Sequence, residues 1–207
     1  MDLQSRLGAL PIFPLPDVVL LPLGMAPFHI FEPRYRAMLA DVLAADGLLG
    51  IATLDVGFQR EGDAAPGICP EVAVAQVVQS QQLPDGRSNI VVGHLASVRL
   101  VEEVTADTLY RVFSVERIDE SEPEPAALEG LRAMVRRLGT LTPSAGDEAA
   151  RLAAVEGMEL VHSLARRVYT TPDQRRAYLG WTSSERIAAI SDTLATLLAG
   201  TKAVGEA

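Results

Sequence analysis

Hydrophobic and polar residues change their spacing along this chain, and the spacing predicts a sheet-rich first half and a helical second half. Residues 10–31 are apolar but interrupted by five prolines. A helix does not tolerate this pattern, because each proline removes a backbone donor and fixes φ, so strand, loop and strand are predicted. After Pro33, apolar residues recur at helical spacing from Tyr35 to Leu43, which predicts an amphipathic helix ending near Gly47.

The next part of the chain is predicted to form a sheet. Residues 48–54 are a short apolar run, typical of a buried strand, and residues 55–70 hold Gly and Pro at the density of a surface loop. From Glu71 both alternating faces are apolar, which predicts a strand buried on both sides, and Leu-Pro-Asp-Gly at 83–86 predicts a hairpin turn. Further strands are predicted at 89–92, 97–104 and 108–118. Six or seven short strands with one inserted helix indicate a twisted, partly closed barrel.

The second half of the chain has helical periodicity. Residues 119–125, DESEPEP, are acidic and rich in proline, which predicts a linker or domain boundary. Apolar residues then share three helical faces: Leu128, Leu131, Val135 and Leu138; Leu152, Val155, Val161, Leu164 and Val168; Ile187, Ile190, Leu194 and Leu197. The last helix is predicted to begin at Thr182 or Ser183, where a hydroxyl can cap it. The predicted class is α+β, with a β-barrel domain in residues 1–120 and a helical bundle in residues 121–207.

Three motifs in the first half resemble the Lon protease N-terminal domain, which also occurs alone in small bacterial proteins. They are the Pro-Leu-x-Asp-Val-Val run in residues 13–24, the Phe-Glu-Pro-Arg-Tyr tract at 31–35 and the hairpin at 83–86. The resemblance spans about residues 8–118. It implies the PUA-like β pseudobarrel seen in Lon N-terminal domains.

The same resemblance implies polypeptide recognition without catalysis. In Lon the corresponding domain is thought to engage unfolded or tagged substrates, so an adaptor or chaperone-like role is expected, with a protease or chaperone as a further partner. Met25, Phe28 and Phe31 lie beside prolines in a segment with little regular backbone pairing. They are the candidate residues of an apolar groove that takes an extended polypeptide, and closure of the barrel core is their alternative role.

Charge bears on the choice of partner. Residues 1–120 contain 16 acidic residues against 8 arginines, a net charge of −8, whereas residues 121–207 contain 11 acidic and 10 basic residues. PUA-like barrels elsewhere bind RNA, which is the alternative function, but an acidic barrel disfavours nucleic acid because phosphates are bound by basic faces. The single cysteine and the absence of a basic leader or long apolar run predict a cytoplasmic protein without a membrane span.

The sequence predicts no catalytic residue, cofactor or metal site. Residues 143–146, Pro-Ser-Ala-Gly, match a tetrapeptide around the Lon catalytic serine, but a nucleophilic serine needs a positioned base and the chain has one lysine, Lys202. We interpret that match as coincidence. His29, His94 and His162 lack the spacing of a zinc site. A Gly-rich phosphate loop is also missing, and a small-molecule hydrolase, the third alternative, has no nucleophile and base pair in the sequence.

Overall fold

The computed structural model describes residues 3–55 and 67–205. The chain divides into two compact units. The barrel unit comprises Met1–Ile118 and Arg175–Gly180, and the helical unit comprises Asp119–Gln174 and Trp181–Ala207. Whether residues 1–120 and 121–207 are separate domains stays a prediction.

The barrel unit contains a mixed sheet whose strands close into a ring. Its elements are β1 (Leu10–Leu15), β2 (Met25–Ile30), α1 (Pro33–Ala44), β3 (Leu48–Leu54), β4 (Ile68–Gln82), β5 (Ser88–Glu103) and β6 (Val112–Arg117). The strand order is β2-β5-β4-β3-β1-β6, and a further pairing of β5 with β6 closes five of these strands. β1 runs parallel to β3, and the other pairings are antiparallel. The predicted barrel with one inserted helix is confirmed.

Three predicted strand boundaries are wrong, and β-bulges explain part of the error. β4 begins at Ile68, inside the predicted loop, while residues 56–66 of that loop lie outside the described residues. β5 is one strand of 16 residues instead of two. Val74 pairs with Ala96 and Ala75 with His94, so Leu95 is an extra residue that shifts the alternation of β5. β6 begins at Val112, because residues 107–110 form bends.

Two apolar clusters lie on opposite faces of β3 and β4. One cluster packs against α1 and includes Leu49, Ile51, Ala73 and Ala75. The other lies within the ring and includes Leu48, Ala52, Val72 and Val74. Because consecutive residues alternate between the clusters, the prediction that the start of β4 is buried on both sides is confirmed. Leu179, from the second half of a C-terminal helix, belongs to the first cluster.

Local signals define the ends of α1 and the hairpin. Tyr35, Met38, Leu39 and Val42 are buried along α1, as the apolar stripe predicts, and Gly47 ends the helix with φ of 76° and an N–H bond to the Val42 carbonyl. In the hairpin, Gly86 has φ of 81°, and the Asp85 carboxylate accepts a hydrogen bond from the Arg87 backbone N–H. Both predicted turns are confirmed.

The helical part of the chain contains α2 (Pro125–Leu141), α3 (Gly146–Ala153), α4 (Gly157–Val168), α5 (Pro172–Gly180) and α6 (Ser183–Gly205). The second predicted apolar face is divided between α3 and α4. Residues 154–156 are not helical, and Gly157, the first residue of α4, takes φ of 53°. α6 begins where predicted: the Thr182 N–H donates to Glu185 Oε2 at 2.8 Å and Thr182 Oγ1 accepts from the Glu185 N–H. α5 was not predicted.

The buried Arg186, with Glu120 and His162 beside it, forms a group that we call the Arg186 cluster, and it anchors the start of the predicted linker to the helical unit. Arg186 is fully buried, and its Nη1 donates to Glu120 Oε1 at 2.5 Å. The Ser183 N–H also donates to the Asp119 carbonyl. Burial, and secondly the positive charge of Arg186, lowers the pKa of His162 to about 4. Residues 119 and 120 are therefore tied to the helical unit by hydrogen bonds, although both are exposed.

Across the described ranges, none of the helices combines the length and the apolar character that crossing a bilayer requires.

Candidate functional site

A cavity of about 370 Å³ opens beside the first turn of α1 in the barrel unit. Its walls come from the end of β1, the end of β2, the start of α1 and the bend before β6. We call it the aromatic cavity, after the rings of Phe13, Phe28, Phe31, Tyr35 and Tyr110 that line it. Its volume lies at the lower end of the range typical of ligand pockets.

The floor of the aromatic cavity is a set of interlocked rings. The Phe13 ring meets Phe28 edge-on at a centroid distance of 5.5 Å and Tyr35 at 4.7 Å. Such edge-to-face pairs add to the stability gained from burial and fix the orientation of each ring. Phe13 comes from β1 and Tyr35 from the first turn of α1, so the floor joins the sheet to the helix.

The rim of the aromatic cavity exposes apolar side chains to solvent. Phe31 is 58% exposed and Leu109 is 70% exposed. The His29 ring stacks on Phe31 at 6.1 Å, and its Nδ1 lies 2.7 Å from Asn89 Oδ1, a hydrogen bond that holds the stack in place. Apolar residues gathered around an opening are a feature of binding surfaces, in contrast to single exposed ones.

Charged groups on the rim are neutralised by their own neighbours. Arg34 pairs with Glu32 at 2.8 Å, and its guanidinium lies 4.5 Å from the Tyr35 ring centroid. Arg111 makes two short bonds to the Glu103 carboxylate, at 2.7 and 2.6 Å. The apolar rings, rather than a net charge, therefore dominate what the aromatic cavity offers to a ligand.

Tyr110 closes the cavity wall as a neutral phenol. Its hydroxyl donates to Asp41 Oδ2 at 2.7 Å. Burial, with the Asp41 hydrogen bond and charge, raises the pKa of Tyr110 to about 12. The phenol thus keeps its proton and its bond to α1 throughout the neutral pH range.

Strand β2, which supplies Phe28, lies at the edge of the sheet. Among the described strands it pairs with β5 alone, and Pro27 stands near its middle. Proline has no N–H donor, so it interrupts the row of backbone groups that an added strand would need. Pro27 therefore disfavours the addition of a further strand at this edge.

The structure brings together two of the three predicted site residues. Phe28, half-buried, and Phe31 line the aromatic cavity, whereas Met25 does not. Met25 is 63% exposed at the other end of β2, where it and Val78 flank Gly93: a Cβ built on that glycine would lie 3.9 Å from Met25 Cγ and 3.7 Å from Val78 Cγ1. Polypeptide binding by all three residues stays a prediction.

Sequence reasoning missed most of the lining residues, among them Phe13, Tyr35, Leu109 and Arg111. Phe13 and Tyr35 were assigned to an ordinary strand and helix face, and Leu109 and Arg111 to a strand. Leu109 offered a weak signal, because it is a large apolar residue in a segment, Ala-Asp-Thr-Leu-Tyr, that lacks strict alternation. No local signal linked it to Phe28, about eighty residues earlier in the chain.

The described residues offer little support for metal or nucleophilic chemistry, and the contact of Ser97 Oγ with His94 Nε2 is long at 3.4 Å. They include no group of three or more His, Cys, Asp or Glu side chains that could hold a metal ion. Ser144 is exposed, and its hydroxyl has no hydrogen-bond partner in the described ranges. Cys69 is buried, which raises the pKa of its thiol, and Arg176 Nη1 donates to its Sγ at 3.3 Å.

Comparison with known families matches residues 9–201 to the substrate-binding domain of the ATP-dependent protease La (Lon). The chain belongs to the Lon substrate-binding domain family. The match runs through α2–α5 and most of α6, so the helical unit is part of the Lon domain, although the sequence motifs located the resemblance only in residues 8–118. The predicted family is confirmed.

Two curated Lon proteases are similar in sequence to this chain. The protein from Trichlorobacter lovleyi is 32% identical over 124 residues, which cover 59% of this chain and 14% of that protein. The protein from Geobacter metallireducens is 29% identical over 165 residues, which cover 75% of this chain and 19% of that protein. The chain thus spans less than a fifth of the length of either protease.

Two solved structures share the fold. The N-terminal domain of Mycobacterium avium complex Lon protease has a TM-score of 0.62 at 18% identity, and the match covers 90% of this chain and 98% of that one. A Lon N-terminal domain protein from Xanthomonas campestris has a TM-score of 0.64 at 19% identity, with 88% and 96% coverage. The predicted α+β fold class is confirmed.

Proposed function

We propose that this protein is a non-catalytic polypeptide-recognition protein that binds unfolded or tagged polypeptides through the aromatic cavity. The observation that carries the proposal is a fixed aromatic floor beneath an exposed apolar rim, Phe31 at 58% and Leu109 at 70% exposure. Membership in a family defined by substrate binding supports it.

The size and polarity of the aromatic cavity favour a large apolar side chain of an extended ligand. Burying one such side chain contributes about 1.5–3 kcal/mol. Association costs more than this, so one cavity gives weak binding and several contacts along a polypeptide are needed for useful affinity. Weak, repeated apolar contacts suit a protein that accepts many unfolded sequences and releases them.

The role that follows is that of an adaptor or chaperone-like protein in the cytoplasm. It would hold a polypeptide for a protease or a chaperone without chemistry of its own. RNA is a poorer ligand for the aromatic cavity, because the charges on its rim are already paired and the surrounding unit is acidic.

The proposal is tested by fluorescence anisotropy of a labelled, permanently unfolded polypeptide titrated with the protein. Phe31→Ser removes an exposed rim ring and is expected to weaken binding about fivefold or more, with a change in unfolding free energy within about 0.5 kcal/mol. Val101→Ser is the matched control, because Val101 is 61% exposed on β5 and does not line the aromatic cavity. A labelled RNA hairpin is titrated in parallel.

Saturable polypeptide binding that Phe31→Ser weakens and Val101→Ser leaves unchanged would support the proposal. A flat polypeptide curve, or an equal loss in both variants, would overturn it. Salt-sensitive RNA binding beside a flat polypeptide curve would assign the domain to nucleic acid instead.

A further inference from the structure

A second pocket, of about 390 Å³, lies between α1 and the β4–β5 hairpin. Its polar lining consists of Arg36 on α1 and Ser80, Gln82 and Ser88 on the hairpin, with Leu43 among its apolar residues. We call it the Arg36 pocket. It does not share a lining residue with the aromatic cavity.

The polar side chains of the Arg36 pocket have hydrogen-bond donors that other described residues do not use. Within residues 3–55 and 67–205, none of the four makes a side-chain hydrogen bond or ion pair. Neighbouring arginines differ, because Arg34 pairs with Glu32 and Arg87 pairs with Asp85. The hydrogen-bonding capacity of the Arg36 pocket is therefore available to a ligand.

The hydrogen-bond donors of the Arg36 pocket suit an oxyanion as the ligand. No acidic residue lines the pocket, although residues 1–120 carry a net charge of −8. A guanidinium presents a planar fork of N–H groups that matches a carboxylate or phosphate, and hydroxyl and amide groups can donate further bonds. The pocket is thus a locally positive place on an acidic unit.

Gly86 leaves room for the guanidinium. A Cβ on this residue would overlap the Arg36 side chain, so the absence of a side chain lets the guanidinium lie against the turn. Gly86 also needs its φ of 81°, a conformation that other residues rarely adopt. The turn that joins β4 to β5 therefore also leaves space for the cation.

The residues around the Arg36 pocket favour one kind of oxyanion, a carboxylate that belongs to a bound polypeptide. Arg34 lines the aromatic cavity and Arg36 lines the second pocket, so the two sites flank the first turn of α1. Leu43 is 47% exposed at the Arg36 pocket and offers apolar contact beside the cation. Free phosphate would gain nothing from that leucine.

We propose that the Arg36 pocket binds an acidic side chain or the C-terminal carboxylate of a polypeptide held at the aromatic cavity. This assignment rests on the proposed polypeptide-binding function. It makes the protein selective for apolar segments that carry a nearby carboxylate. Arg36 supplies the charge, and the hairpin hydroxyl and amide groups supply additional donors.

The test compares two short unstructured peptides, identical except that a phenylalanine is followed by Leu-Glu in one and by Leu-Gln in the other, both blocked at the C-terminus. Calorimetric titration at low salt is expected to show the Glu peptide binding about five- to tenfold tighter. Arg36→Gln should abolish that preference. Arg117→Gln, which removes an exposed arginine of β6 that has no ion pair among the described residues, should keep it.

The outcomes separate this inference from the proposed function. Equal affinity for the two peptides in the wild-type protein, or an equal loss in Arg36→Gln and Arg117→Gln, overturns the carboxylate pocket and leaves polypeptide binding intact. Absence of binding by either peptide overturns both. Inorganic phosphate is titrated as a third ligand while the Gly86 and Ser88 amide signals are followed by NMR. If these signals shift with phosphate and the two peptides bind with equal affinity, the pocket binds a free oxyanion and the polypeptide assignment is overturned.

Discussion

The aromatic cavity of the barrel unit and the Arg186 cluster of the helical unit depart from ordinary burial in opposite directions. At the cavity, Phe31 and Leu109 are apolar and largely exposed, whereas Arg186 is charged and fully buried. Exposed apolar side chains would gain free energy if they were removed from water, so a group of them is typical of a binding surface. The buried Arg186 already has its ion-pair partner, Glu120, within the chain, so the pair indicates a role in structure.

Removing Arg186 should produce the largest effect. Arg186→Ala removes a fully buried side chain and its ion pair with the partly exposed Glu120, and it opens a cavity, so the unfolding free energy of the helical unit is expected to fall by about 3 kcal/mol. Urea unfolding followed by the fluorescence of Trp181, the single tryptophan, reports this change. Arg137→Ala, at an exposed arginine of α2, is the control and should change stability by less than about 0.5 kcal/mol. A loss below about 1 kcal/mol for Arg186→Ala would show that the cluster is not structural.

Acid should produce the next largest effect, again in the helical unit. His162 has a pKa of about 4 in the folded chain because of burial and the charge of Arg186, against an ordinary value of about 6.5. Between these values the unfolded chain holds the extra proton, so the unfolding free energy falls as pH drops from about 6.5 toward 4. Between pH 7 and pH 5 the expected contribution is about 2 kcal/mol.

Urea unfolding at pH 7 and pH 5 measures how much unfolding free energy the wild-type protein and His162→Gln each lose between these pH values. The difference between the two losses is the contribution of His162. Other groups titrate in both proteins, so the comparison isolates this histidine. The wild-type protein should lose more stability than the variant. Parallel losses in the two proteins would contradict the assignment of a neutral buried imidazole.

Local sequence signals predicted much of the fold. The prolines of residues 10–31, the apolar stripe after Pro33 and the turn at Gly86 each act within a few residues, and each predicted element is present. The bulge at Leu95 was not visible, because it is defined by pairing between strands. Helix α5 was missed although Thr171 and Gln174 form a capping box, in which the Thr171 N–H donates to Gln174 Oε1 and Thr171 Oγ1 accepts from the Gln174 N–H, with Pro172 between them.

The candidate site was less accessible to sequence reasoning. Phe28 and Phe31 were identified because their segment is apolar and broken by prolines, but Met25, from the same segment, lies away from the cavity. Leu109 reaches the rim through the closure of the ring, which brings distant segments together. Arg186 and Glu120, 66 residues apart, likewise become partners only in the folded unit.

Site-specific photocrosslinking with an unfolded polypeptide tests recognition through the aromatic cavity most directly. A benzophenone amino acid is placed at Leu109 on the cavity rim or, as the matched site, at Val101, which is exposed elsewhere in the same unit. Recognition through the aromatic cavity predicts strong crosslinking from position 109, competed by excess unlabelled polypeptide, and weak crosslinking from position 101. Equal crosslinking from both positions, or none from position 109 while the polypeptide still binds, would contradict recognition through the aromatic cavity.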